Sequence, residues 1–72
     1  MPKYEFAVYN EKVREAVKIG ESVQGFEDSW GDLHYIDASG SVYGLARATI
    51  DRLYPARQGF VVDHYTEVFD DD

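Results

Sequence analysis

The sequence contains no cysteine among its 72 residues. Disulfide bonds, thiolate metal sites and cysteine nucleophiles are therefore excluded together. The absence fits a reducing, intracellular compartment without requiring one. Metal or acid–base chemistry would have to use the two histidines, His34 and His64, together with the carboxylates.

Long apolar runs are also missing. No stretch approaches the ~18 consecutive apolar residues that a membrane-spanning helix needs. Met1, Pro2 and Lys3 lead into a mixed segment without the apolar core of a signal peptide. We therefore expect a soluble, cytoplasmic protein that makes no membrane contact.

Basic residues are absent from two long blocks. Residues 19–46 and residues 58–72 hold ten of the fourteen acids and no Lys or Arg, and the formal net charge is -7. Such a surface repels nucleic acid phosphates and attracts basic protein surfaces. The pattern predicts a basic protein partner and no direct nucleic acid binding. The alternative is that the acidity serves only to keep the protein soluble.

The length indicates one domain, residues 1–72, whose acidic end at residues 69–72 can fray. A chain of this size lies near the lower limit for folding without disulfides or metals. A large substrate cleft would leave too few residues to form the hydrophobic core.

The clearest element is a strand from Gly59 to Phe69, rich in β-branched and aromatic residues. Simple alternation divides its side chains between two faces. One face is predicted to carry Phe60, Val62, His64, Thr66 and Val68, and the other Val61, Asp63, Tyr65, Glu67 and Phe69.

Hydrophobic periodicity predicts the remaining elements. In chain order they are a strand over 4–9, a helix over 11–19 capped by Asn10, a short strand over 21–26, a strand over 33–38 with Ile36 and Ala38 inward, and a helix ending near Tyr54. The second helix has an apolar stripe at helical spacing: Val42, Leu45, Ala46, Thr49, Ile50 and Leu53.

This order predicts an α+β fold of the ferredoxin-like βαββαβ type, with an antiparallel sheet and both helices on one face. If residues 21–26 do not pair, the sheet is a three-stranded βαβαβ arrangement. The pattern is shared by proteins of many functions.

The uncovered face of such a sheet is predicted to be acidic and tyrosine-rich, which suits a protein interface. The candidate partner-binding residues are Glu5, Tyr9, Tyr35, Asp37, Asp63, Tyr65, Glu67 and Phe69. A secondary acidic patch comprises Glu27, Asp28, Asp32, Asp70, Asp71 and Asp72.

Carboxylates spaced beside aromatic rings can imitate the phosphates and bases of a nucleic acid. We therefore expect a non-enzymatic inhibitor that blocks a basic DNA- or RNA-binding surface. In size, charge and lack of sites the chain is similar to phage-encoded anti-defence inhibitors, including anti-CRISPR proteins, which would act in the host cytoplasm.

Two alternatives remain. The first is a small interaction or homodimerisation domain without mimicry. The second is a small enzyme or metal binder using His34 and His64, although their separation matches no known ligand spacing and no G-x-S-x-G or glycine-rich phosphate loop is present. No cofactor or metal is expected.

Overall fold

A computed structural model describes residues 3–68, which form an open three-stranded antiparallel sheet and two helices, a small α+β arrangement. The elements are β1 (Lys3–Asn10), α1 (Glu11–Lys18), β2 (His34–Ser39), α2 (Tyr43–Leu53) and β3 (Phe60–Val68), with 3-10 turns at Asp28–Gly31 and Ala56–Gln58. The first strand is central, and β2 and β3 form the two edges.

The core lies between α2 and one face of the sheet. Tyr4, Phe6 and Val8 alternate along β1 and are all buried, because the central strand is covered on this side by α2. Ala38 is buried and Ile36 packs against the same cluster, so the predicted inward face of β2 is confirmed.

Residues 21–26 do not form the predicted strand. The backbone around them takes left-handed conformations at Gly20 (φ 76°) and Gly25 (φ 90°), which interrupt an extended segment. Phe26 packs edge-on against Phe60, with ring centroids 5.6 Å apart. The described sheet has three strands.

The buried side chain of Asn10 joins three segments, and its predicted role as the cap of α1 is confirmed. Its Oδ1 accepts a hydrogen bond from the Val13 N–H at 3.2 Å, and its Nδ2 donates to the Gln58 carbonyl at 3.1 Å. Gly59, at φ 100°, leaves room for this amide, because a Cβ there would lie 2.6 Å from Oδ1. The end of β1 and the start of β3 are thereby fixed.

Only part of the apolar stripe of α2 is buried. Ala46 and Ile50 face the sheet. The other large apolar members are exposed: Val42 (58%), Leu45 (57%) and Leu53 (57%). Among residues 3–68 the sheet ends at β2, so no further strand lies beneath these side chains.

Candidate protein-binding face

A β-bulge decides which side chains of β3 share a face. Ala7 pairs with His64, but the next residue of β1, Val8, pairs with Val62, so Asp63 is an extra residue. Directly opposed residues of antiparallel strands point to the same side of the sheet. The alternation of β3 therefore changes phase at Asp63.

This phase change places Tyr65 and Glu67 on the same side of the sheet as α2. Tyr65 is opposite Phe6, and Glu67 is opposite Tyr4. The Tyr65 ring lies 6.0 Å from that of Phe6 and 4.4 Å from that of Tyr43. The prediction that Tyr65 and Glu67 lie on the uncovered face is wrong, because it assumed uninterrupted alternation.

We define the open face as the side of the sheet opposite α2. Its residues are Lys3, Glu5, Ala7 and Tyr9 from β1, Tyr35, Asp37 and Ser39 from β2, and Val61, His64, Thr66 and Val68 from β3. It therefore includes four of the predicted binding residues, Glu5, Tyr9, Tyr35 and Asp37. Asp63 lies at the bulge, and Phe69 is outside the described residues.

Two acidic residues are paired across strands in the middle of the open face. Glu5 on β1 and Asp37 on β2 are directly opposed. The Nζ of Lys3 lies 3.6 Å from an Asp37 carboxylate oxygen, and both side chains are about half exposed. Within residues 3–68, Glu5 makes no ion pair of its own.

Two exposed rings flank the centre of this face. Ala7 lies between Tyr35 and His64 on the neighbouring strands and is only 1% exposed. The Tyr35 ring is 60% exposed and meets the His64 ring edge-on at 6.3 Å. His64 Nδ1 lies 2.7 Å from Asp63 Oδ2, so the bulge carboxylate orients the imidazole.

Tyr9 is already in contact with a cation of the same chain. The guanidinium carbon of Arg14 lies 3.7 Å from the Tyr9 ring centroid. Arg14 Nε also donates to the Gly31 carbonyl at 2.8 Å, which ties α1 to the first 3-10 turn. The open face therefore accommodates a guanidinium stacked on a tyrosine.

The two histidines lie on opposite sides of the sheet. His34 is opposite Val8 on the side of α2, as predicted, and stacks on Trp30 with centroids 4.1 Å apart. The bulge moves His64 to the open face, contrary to prediction. A shared site of His34 and His64 is not formed, and no group of three or more potential metal-ligating side chains is arranged for an ion between residues 3 and 68.

The secondary acidic patch is only partly described. Glu27, Asp28 and Asp32 are exposed around the first 3-10 turn, not on the sheet. Asp70, Asp71 and Asp72 lie outside the described residues.

Sequence analysis missed the contribution of His64, Lys3 and Arg14 to this face. The large residues of β3 that face α2 follow at 60, 62 and then 65, an interval of three that alternation does not produce and that only the strand pairing reveals. The contacts of Lys3 and Arg14 depend on tertiary geometry.

Comparison with known proteins gives no family assignment: no family model, curated protein or solved structure matches this chain. In the part of the chain that the structure describes, neither helix has the length and apolar character required to cross a membrane.

Proposed function

We propose that this chain is a non-enzymatic protein-binding module whose open face contacts a basic surface of a partner protein. The observation that carries the proposal is the opposed pair Glu5 and Asp37 on an uncovered sheet, beside the exposed ring of Tyr35. Like charges placed directly opposite each other destabilise a sheet. A cation from a partner would relieve this repulsion.

The residue types suit recognition of arginine or lysine. A guanidinium can donate paired hydrogen bonds to carboxylates and stack on an aromatic ring. The contact of Arg14 with Tyr9 shows the stacking geometry within the same face. Tyr35 and the carboxylate of Glu5 offer the corresponding elements to a partner.

In its most concrete form, the proposal is inhibition by nucleic acid mimicry. Carboxylates beside aromatic rings would occupy a basic DNA- or RNA-binding surface, in the manner of a phage anti-defence protein in the host cytoplasm. The net charge of -7 supports this form. The mimicking residues are then Glu5, Tyr35, Asp37 and Asp63, since Tyr65 and Glu67 face α2. We also propose that the sheet is a ferredoxin-like arrangement without its second strand, because the first strand lies between the other two.

The test is affinity capture with the immobilised protein at about 50 and about 300 mM salt, followed by identification of bound proteins. The variant Glu5→Lys/Asp37→Lys reverses the central charges. Glu15→Lys/Glu21→Lys makes the same change in net charge at exposed positions outside the sheet and serves as the matched control.

We expect a nucleic-acid-binding protein to be recovered at low salt by the native chain and by the control, but not by Glu5→Lys/Asp37→Lys. Added DNA or RNA should displace it. Equal loss in both variants would show that only net charge matters, and recovery of this chain alone would replace the proposal with self-association.

A further inference from the structure

Exposed apolar residues of α2 and its N-cap lie along one flank of the helix. They are the N-cap Val42 and, in α2, Leu45 and Leu53, with the half-buried Thr49 between them; we call these residues the α2 ridge. Successive helix residues are rotated by ~100°. Ala46 and Ile50 point to the sheet, and the Tyr43 ring contacts Tyr65 on β3. The α2 ridge therefore lies on the flank of the helix away from Tyr43 and β3, on the side of β2.

This outer edge of β2 has no strand partner among residues 3–68. No backbone hydrogen bond from a turn or loop in that range reaches residues 34–39. An edge strand presents unpaired N–H and C=O groups on which another strand can assemble. The backbone edge and the α2 ridge thus form the two walls of one unfilled corner.

We propose that this corner receives an extended segment of the basic partner as a fourth strand, a refinement that rests on the function proposed above. Strand addition of this kind draws affinity from backbone hydrogen bonds and selectivity from alternate side chains. An added strand would lie ~4.8 Å from β2. One set of its side chains would then contact Leu45 and Leu53.

Charge identifies the occupant. The other set of side chains on the added strand lies next to Tyr35 and Asp37 on the open face. Opposite charges on neighbouring strands stabilise a sheet. The segment therefore alternates apolar residues with Lys or Arg. A second copy of this chain fits less well, because each copy carries a net charge of -7.

The test uses a capped synthetic peptide, Lys-Val-Lys-Val-Lys-Val-Lys, titrated into the isotope-labelled protein while amide hydrogen exchange is recorded. A peptide of equal composition with its valines grouped together tests the alternation. A third peptide, methylated on every backbone nitrogen, cannot donate the hydrogen bonds of a sheet. The protein variants are Leu45→Gln/Leu53→Gln and, as a control with exposed apolar residues at the end of α1, Val17→Gln/Ile19→Gln.

We expect the alternating peptide to slow exchange of amides within residues 34–39 by about tenfold or more, and the other two peptides to leave it unchanged. Leu45→Gln/Leu53→Gln should weaken binding about tenfold, because two contacts with apolar side chains are lost. Val17→Gln/Ile19→Gln should bind like the native chain. Because all four residues are exposed, these variants should retain the native melting temperature.

Several results would overturn the inference. They are failure of the peptide to bind, protection of residues 60–68 instead of 34–39, equal binding by Leu45→Gln/Leu53→Gln, or protection of β2 that rises with protein concentration when no peptide is present. If the peptide binds with none of the β2 protection but still requires Glu5 and Asp37, the proposed function survives without strand addition. Equal peptide binding by the native chain and by Glu5→Lys/Asp37→Lys would contradict the proposed function itself.

Discussion

At the scale of single residues, Glu5 places a negative charge opposite another one in the sheet. It is opposed to Asp37, and Lys3 lies close to Asp37. We predict that Glu5→Gln raises the free energy of unfolding by ~0.2–1 kcal/mol, since it removes a repulsive cross-strand pair. Urea denaturation measures this change. A loss of stability would mean that Glu5 has a favourable contact and would remove the main support for a binding role.

Tyr4 makes a second prediction at this scale. Burial raises the pKa of the Tyr4 hydroxyl above its usual 10.0, and a hydrogen bond to Glu67 raises it further. The protonated Tyr4 hydroxyl therefore contributes fully to the stability of the folded protein below pH 10, and this contribution is lost as pH rises through the higher pKa of the folded state.

Tyr4→Phe should thus reduce the decline in unfolding free energy between about pH 9 and about pH 11. The measurement is urea denaturation of both proteins across this interval. The other tyrosines titrate in both, so their contribution cancels in the difference. Parallel pH profiles would show that the Tyr4 hydroxyl titrates alike in the folded and unfolded chains.

At the scale of elements, α2 shows that an apolar residue at helical spacing is not always buried. Ile50 is 1% exposed, whereas Leu53 is 57% exposed. Ile50→Ala should cost ~2–5 kcal/mol because it leaves a cavity, and Leu53→Ala should cost less than ~1 kcal/mol. Thermal or urea denaturation of the two variants compares these costs. Similar large losses would place Leu53 in the core.

All five regular elements were predicted in the correct order, because local signals specify them: the alternation of β1, the Asn10 cap and the helical spacing in α2. The failures have non-local causes. The strand at residues 21–26 is replaced by a bent segment that buries Phe26 against Phe60, a contact between distant parts of the chain. The wider sheet that was predicted beneath α2 depended on that same strand.

The candidate site was predictable only in its central part. Glu5, Tyr35 and Asp37 follow from alternation in two regular strands, and the structure places them together. The side of the sheet on which Tyr65 and Glu67 lie does not follow from alternation, because the bulge turns Tyr65 toward Tyr43 and Phe6. Periodicity assumes unbroken pairing, and pairing is decided by the partner strand.

For the molecule as a whole, net charge should limit stability. The chain carries -7, and the Lys and Arg ion pairs among residues 3–68 are all partly exposed, so each contributes little. We predict that raising NaCl from about 20 to about 300 mM increases the free energy of unfolding, because salt screens the repulsion between carboxylates. Urea denaturation at both salt concentrations tests this. A decrease would show that screened attractions outweigh the repulsion.

The extra residue, Asp63, shifts the alternation of side chains in β3 by one position. Before it, the positions that face α2 have even numbers, Phe60 and Val62; after it they have odd numbers, Tyr65 and Glu67. A substitution scan of this strand should therefore lose stability at Phe60 and Val62 before the extra residue and at Tyr65, whose ring contacts Phe6 and Tyr43, after it. Removing that single residue would restore one alternation and move the half-exposed ring of Tyr65 and the carboxylate of Glu67 to the open face, which would become more acidic.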